Sequence, residues 1–185
     1  MIMPSIIRLT FQDTLVIDHQ FLLLYEFVID DDLLFKKDDK TILAMLMETR
    51  ILHRTLEPPE LEGQKVNVCV SGIWRPFNFE ILKSNHFKFL QDEASFNVGI
   101  EELKRSETGS DYERITIEGV SAEQRLVQKR TGFKNGVWLL DRDWFKNDRD
   151  DALLDELHWI YIYYKTYVEI DRTNKLIRTM DFGWD

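Results

Sequence analysis

The apolar and polar positions alternate over short stretches in the first half of the chain, which is typical of β-strands. Ser5–Phe11 and Phe21–Ile29 are rich in β-branched and aromatic residues, and the second is apolar enough for a strand buried on both faces. Lys65–Ser71 places three valines on one face, as in a half-buried antiparallel strand. With Phe77–Ile81 and Phe87–Phe89, it predicts a meander of three strands.

Two principal helices are predicted. Asp39 or Thr41 can cap the first, and Pro58-Pro59 must end it because proline lacks a backbone N–H. The second is expected over residues 149–158, with Asp148 as its cap.

The second half of the chain predicts further strands on either side of a polar middle. Gln91–Asp111 is polar, and Ser106–Asp111 at its end is interpreted as an exposed loop. Tyr112–Glu118, Arg125–Arg130 and Val137–Leu140 are interpreted as strands, with Asn135-Gly136 as a tight turn between the last two.

The C-terminal block predicts a hairpin. Trp159–Ile170 consists almost entirely of β-formers, although the sequence is compatible with either helix or strand over residues 159–164. The polar turn Asp171–Asn174 then separates Val168–Ile170 from Lys175–Ile177. These elements predict an α+β fold: a mainly antiparallel β-sheet of about seven strands packed with two main helices, in a single domain of residues 1–185.

The composition restricts the class of partner and the compartment. The formal net charge is −9, which disfavours direct nucleic-acid binding and speeds encounter with basic proteins. The single cysteine excludes an intrachain disulfide, and no apolar run reaches the length of a membrane span. Because the first residues also lack the pattern of a signal peptide, we expect a cytoplasmic protein with no membrane contact. The sequence does not predict an oligomeric state.

No pattern predicts catalysis, a metal or a cofactor. The four histidines have no metal-ligand spacing, and Cys69 has no basic neighbour that would activate it. Asp92, Glu102 and Lys104 match the short carboxylate and lysine pattern of some metal-dependent nucleases, but such matches arise easily by chance. We therefore expect a protein that is not an enzyme.

An acidic stretch near the C-terminus is the candidate contact site. From residue 141 to residue 156, the acids outnumber the bases by seven to three. We call the candidate partner-binding residues the acidic edge: Asp141, Asp143, Trp144, Asp148, Asp150, Asp151, Asp155 and Glu156. A solvated helix N-terminus, with Trp144 and Phe145 in the core, explains the same pattern.

Two functions follow as hypotheses. The first is a non-enzymatic acidic binding protein that neutralises a basic protein partner, such as an immunity protein or inhibitor of a nucleic-acid-cleaving toxin. The second is a small-ligand-binding domain with a curved sheet. Arg125–Arg130, Asn135-Gly136 and Val137–Leu140 are similar to the closing hairpin of nuclear-transport-factor-like and cystatin-like domains. That resemblance implies an apolar ligand cavity.

Overall fold

A computed structural model describes most of the chain. The described residues are 7–17, 20–29, 32–48, 77–78, 80–106, 108–109, 113–146, 151–154 and 163–184. Their strands are β1 (Ile7–Ile17), β2 (Gln20–Ile29), β3 (Lys88–Leu90), β4 (Val137–Asp141), β5 (Tyr163–Asp171) and β6 (Leu176–Trp184). Their helices are α1 (Asp39–Glu48), α2 (Glu93–Ser106), α3 (Glu113–Thr131) and the one-turn α4 (Asp143–Lys146).

The strands form one antiparallel sheet in the order β1-β2-β6-β5-β4-β3. Two hairpins, β1–β2 and β5–β6, meet where β2 pairs with β6. The three helices α1, α2 and α3 lie between these hairpins in sequence. The pairing of β2 with β6 therefore joins strands that are far apart in the chain.

One face of the sheet, which we call the α1 face, packs against α1. Ile42, Leu43 and Leu46 of α1 are completely buried there, because their spacing places them on one side of the helix. Asp38 caps this helix, accepting hydrogen bonds from the backbone N–H (3.0 Å) and the hydroxyl (2.7 Å) of Thr41. The cap is therefore Asp38 rather than Asp39 or Thr41.

The opposite face, which we call the helix-pair face, packs against α2 and α3. Apolar residues from both helices are buried against this side of the sheet: Phe96, Ile100, Val120 and Val127. Polar bonds between the two helices align them, since the amide of Gln128 donates to Glu93 (2.7 Å) and that of Gln124 donates to Asn97 (2.7 Å).

The structure confirms the α+β class and the antiparallel sheet, but the detail differs. The described ranges hold five strands of five or more residues and the three-residue β3, against about seven predicted strands, and three main helices against two. β4 and the C-terminal hairpin form, but the turn of the hairpin is Arg172–Lys175, one residue later than the predicted Asp171–Asn174. Phe77 makes an isolated bridge to Leu154, and the described residues Asn78, Glu80 and Ile81 are not in a strand.

The largest error lies in the middle of the chain. Gln91–Asp111 contains α2, and the strands predicted over Tyr112–Glu118 and Arg125–Arg130 are wrong, since residues 113–131 form α3. Asn135-Gly136 accordingly joins a helix to β4 instead of joining two strands. The hairpin that resembled curved-sheet ligand-binding domains is therefore absent from these positions. Glu, Gln, Arg, Lys and Leu favour helices, and Val120 and Val127 give this one a buried face.

Two predicted elements lie wholly or mostly outside the described residues. The strand Lys65–Ser71 lies outside the described residues. So does most of the helix predicted over residues 149–158, of which Asp151–Leu153 forms a single 3-10 turn.

Candidate functional site

Asp141 and Trp144 of the acidic edge face the interior of the protein. Asp141 ends β4 with its side chain 12% exposed, and its Oδ2 lies 3.6 Å from Lys165 Nζ on β5. Trp144 is partly buried, with Lys88 Nζ 4.0 Å from the ring centroid. The neighbouring Phe145 is buried on the α1 face. Asp141 therefore does not contribute a solvated carboxylate to the acidic edge.

The remaining residues of the acidic edge are described only in part. Asp143 begins α4 and Asp151 begins a 3-10 turn, and for both the description is limited to the backbone. The other four, Asp148, Asp150, Asp155 and Glu156, lie outside the described residues. The candidate contact surface on these residues stays a prediction.

A buried polar cluster on the helix-pair face surrounds Glu123 of α3, and we call it the Glu123 cluster. It consists of Glu123, Asp141, Tyr163, Lys165 and Tyr167. The Glu123 carboxylate is completely buried and accepts hydrogen bonds from the hydroxyl of Tyr163 (2.7 Å) and from that of Tyr167. Because Tyr163, Lys165 and Tyr167 alternate along β5, their side chains share one face of the sheet. The register then places Asp141 directly opposite Lys165.

Burial controls protonation in this cluster. It raises the pKa of Glu123, and the charge of Lys165 and the two tyrosine hydrogen bonds oppose that shift only in part. Burial and the nearby Glu123 charge raise the pKa of Tyr163 and Tyr167 well above the ordinary tyrosine value, so both stay neutral donors. The cluster can bind and release a proton inside the protein. Its carboxylate is too deeply buried for direct contact with a solvent-borne substrate.

The α1 face carries buried polar residues beside the same strands. The Thr166 hydroxyl donates to Oδ1 of Asp181 at 2.7 Å, and both residues are completely buried. Arg142, which follows β4, is 3% exposed, and its backbone N–H donates to the carbonyl of Tyr164 at 3.1 Å. Buried polar side chains therefore lie on both faces of the sheet, with Glu123 on the helix-pair face and Asp181 on the α1 face.

A third group of charges surrounds Arg178 of β6. Arg178 Nε lies 2.7 Å from Glu26 Oε1, and its Nη1 lies 2.7 Å from Glu169 Oε2 and 3.3 Å from Asp171 Oδ2. Asn135 donates to the other oxygen of Glu169 at 3.0 Å. Burial raises the pKa of Glu169. For Asp171, hydrogen bonds from Asn174 and the charge of Arg178 outweigh burial and lower the pKa.

Sequence reasoning missed these clusters, although one signal for them was available. Glu123 lies between Val120 and Val127 at spacings of three and four residues, so a charged side chain shares the buried stripe of a helix. Its partners follow about 40 residues later in the chain, where spacing in the sequence carries no information about contact.

The nuclease-like pattern has a structural explanation. Asp92 caps α2, with the backbone N–H and the hydroxyl of Ser95 donating to its Oδ1 at 2.8 and 2.7 Å. Lys104 lies on the same helix and pairs with Glu101 at 3.0 Å. Within the described ranges, no group of three or more His, Cys, Asp or Glu side chains is arranged to hold a metal ion.

Comparisons with known proteins and the hydropathy of the helices add no identification. No helix in the described part of the chain is long and apolar enough to span a bilayer. No protein-family model, curated protein or solved structure matches this chain.

Proposed function

We propose that this protein is a non-enzymatic acidic binding protein that neutralises a basic protein partner in the cytoplasm, as an immunity protein or inhibitor of a nucleic-acid-cleaving toxin would. The observation that carries the proposal is the formal net charge of −9. Five of the described carboxylates are buried, and so are the basic side chains of Arg142 and Lys165. Acids still outnumber bases among the remaining residues, and that excess can steer a basic partner.

The chemistry of the described interior supports a binding role over a catalytic one. Glu123 and Asp181 are completely buried and bonded to hydroxyl groups, and Glu169 is bonded to Arg178. Groups held in this way stabilise the sheet and the helices against it, whereas a general acid or base must reach its substrate. The exposed acids of α2 and α3 instead face solvent, where they favour association with positive charge.

The first experiment identifies the partner. The protein is used to capture proteins from its native host at low and at moderate salt, and mass spectrometry identifies those that bind. We expect one basic protein, bound in a fixed ratio and released by salt. A partner that is acidic, or one whose binding is equally tight at both salt concentrations, would contradict the proposal.

A matched pair of variants then tests the acidic edge. D148N/D150N/D151N removes three charges from it, and E101Q/E102Q/E118Q removes three from exposed positions on α2 and α3. We expect the edge variant to slow association by about tenfold or more at low salt, and the control by much less. If both variants slow association equally, the steering depends on net charge and not on the acidic edge. If neither variant slows association, charge does not steer the partner, and the proposed mechanism is wrong.

A further inference from the structure

One completely buried carboxylate joins the helix pair to the sheet. Within the described residues of α2 and α3, Glu123 is the ionisable side chain with no exposure to solvent. Its two oxygens accept hydrogen bonds from Tyr163 and Tyr167. These tyrosines are four residues apart on β5 and lie on the same face of the sheet. The neighbouring contacts are apolar, such as the edge-on packing of Phe96 against Tyr167. Glu123 is thus a buried polar contact between the helix pair and the sheet.

We propose that the Glu123 cluster is a pH-sensitive docking contact, which holds α2 and α3 on the sheet while it carries a proton and lets them separate more often once that proton is lost. This inference does not depend on the proposed function. It concerns the stability of one layer of the fold, and the experiment below needs no partner.

The charges that face Glu123 support this behaviour. Among the described residues, β4 contributes the carboxylate of Asp141, and β5 contributes the ammonium group of Lys165 and two neutral phenols. The apolar cluster that contains Tyr163 and Tyr167 also includes Phe96 and Ile100 from α2, and Met180 and Phe182 from β6. Two carboxylates therefore share one cation, and the Glu123 carboxylate is completely buried. One added proton removes the excess negative charge, which a buried site disfavours. The protonated oxygen then donates to one tyrosine hydroxyl oxygen, while the other Glu123 oxygen still accepts from the second hydroxyl.

The direction of the pH effect follows from the free energy of ionisation. Burial raises the pKa of Glu123 in the folded protein above its value in an opened or unfolded chain. The contact is therefore fully stabilising below the ordinary glutamate pKa, and its contribution is lost as the pH rises through the raised pKa. Between these two values, opening releases one proton, so the opening constant rises by up to tenfold per pH unit and then levels off.

Hydrogen exchange of the backbone amides measures this opening directly. The rates of amides in α2 and α3 are recorded over a pH series from about 5 to about 9 and corrected for the intrinsic exchange rate at each pH. In the wild-type protein we expect protection of α2 and α3 to fall as the pH rises. Protection of amides at the β1–β2 pairing, which includes neither Glu123 nor Glu169, should fall much less. Protection of the helices that is independent of pH over this range would overturn the proposal.

Two variants assign the effect to one side chain. E123Q keeps the shape of Glu123 without its charge, so its helices should stay protected across the series, with the pH dependence gone. E118Q removes an exposed glutamate from the same helix and should behave as the wild type does. An E123Q protein with the wild-type pH dependence would refute the role of Glu123. If E123Q does not fold, the wild-type series still decides whether the helices open with rising pH.

Discussion

Arg178 and Glu169 lie directly opposite each other across the β5–β6 ladder, and Arg178 Nη1 is 2.7 Å from Glu169 Oε2. On its other side, Arg178 faces Glu26 of β2 in the same register, with Nε 2.7 Å from Oε1. One guanidinium group therefore connects three neighbouring strands at the junction of the two hairpins. Its three carboxylate partners would repel one another without it.

Removing that cation should destabilise the sheet strongly. In R178M, Glu169 and Asp171 stay buried beside each other without their cation, at an expected cost of about 3–5 kcal/mol in the free energy of unfolding. Urea unfolding at neutral pH measures the change. E26Q is the matched control, since Glu26 is more exposed and the guanidinium group keeps its other partners. A loss in R178M no larger than that in E26Q would mean that the three carboxylates do not depend on Arg178.

The sequence predicts those elements of secondary structure that form through interactions between residues close together in the chain. The turn after Asp171 forms because Asn174 bonds back to the Asp171 carboxylate, and its flanks are β-formers on both sides. In α3, by contrast, Ile115, Thr116 and Ile117 favour a strand locally, and packing against the sheet overrides that preference. Whether Asp141 faces solvent or Lys165 depends on the pairing of β4 with β5, which no local pattern encodes.

Alanine substitutions at Gly136 and Gly99 should change the stability of the protein in opposite directions. Gly136 has φ = +69°, which strains any other residue, and an added Cβ would meet the ring of Phe89 and lie 3.0 Å from the carbonyl oxygen of Leu90, so G136A should cost more than about 1 kcal/mol. Gly99 lies on the exposed side of α2 with nothing within 4 Å of an added Cβ, so G99A should stabilise by about 0.5–1 kcal/mol. Thermal unfolding of both variants against the wild type gives the comparison. Changes of the same sign would contradict the described geometry at one of the two glycines.

The cap of α2 should make stability depend on acidic pH. Hydrogen bonds from the backbone N–H and the hydroxyl of Ser95 lower the pKa of Asp92. Its contribution is therefore present above the ordinary aspartate pKa and is lost as the pH falls through the lowered value. D92N keeps an oxygen that can cap the helix but cannot ionise. We expect the wild type to be more thermostable than D92N near pH 6 and the difference to close below about pH 3. A difference that is constant over this range would show that ionisation of Asp92 does not contribute.

The hydroxyl of Thr166 should stabilise the buried side chain of Asp181 on the α1 face. T166V replaces the hydroxyl with a methyl group of similar volume, so Asp181 loses a 2.7 Å hydrogen bond while the packing changes little. Loss of one hydrogen bond to a buried acceptor costs about 1–3 kcal/mol, and urea unfolding of T166V should show a loss of that size. T166S retains the hydroxyl and removes a methyl group, so it should lose less than T166V. If T166S is the less stable of the two variants, the methyl group matters more than the hydrogen bond, and the buried Asp181 is stabilised by its other surroundings.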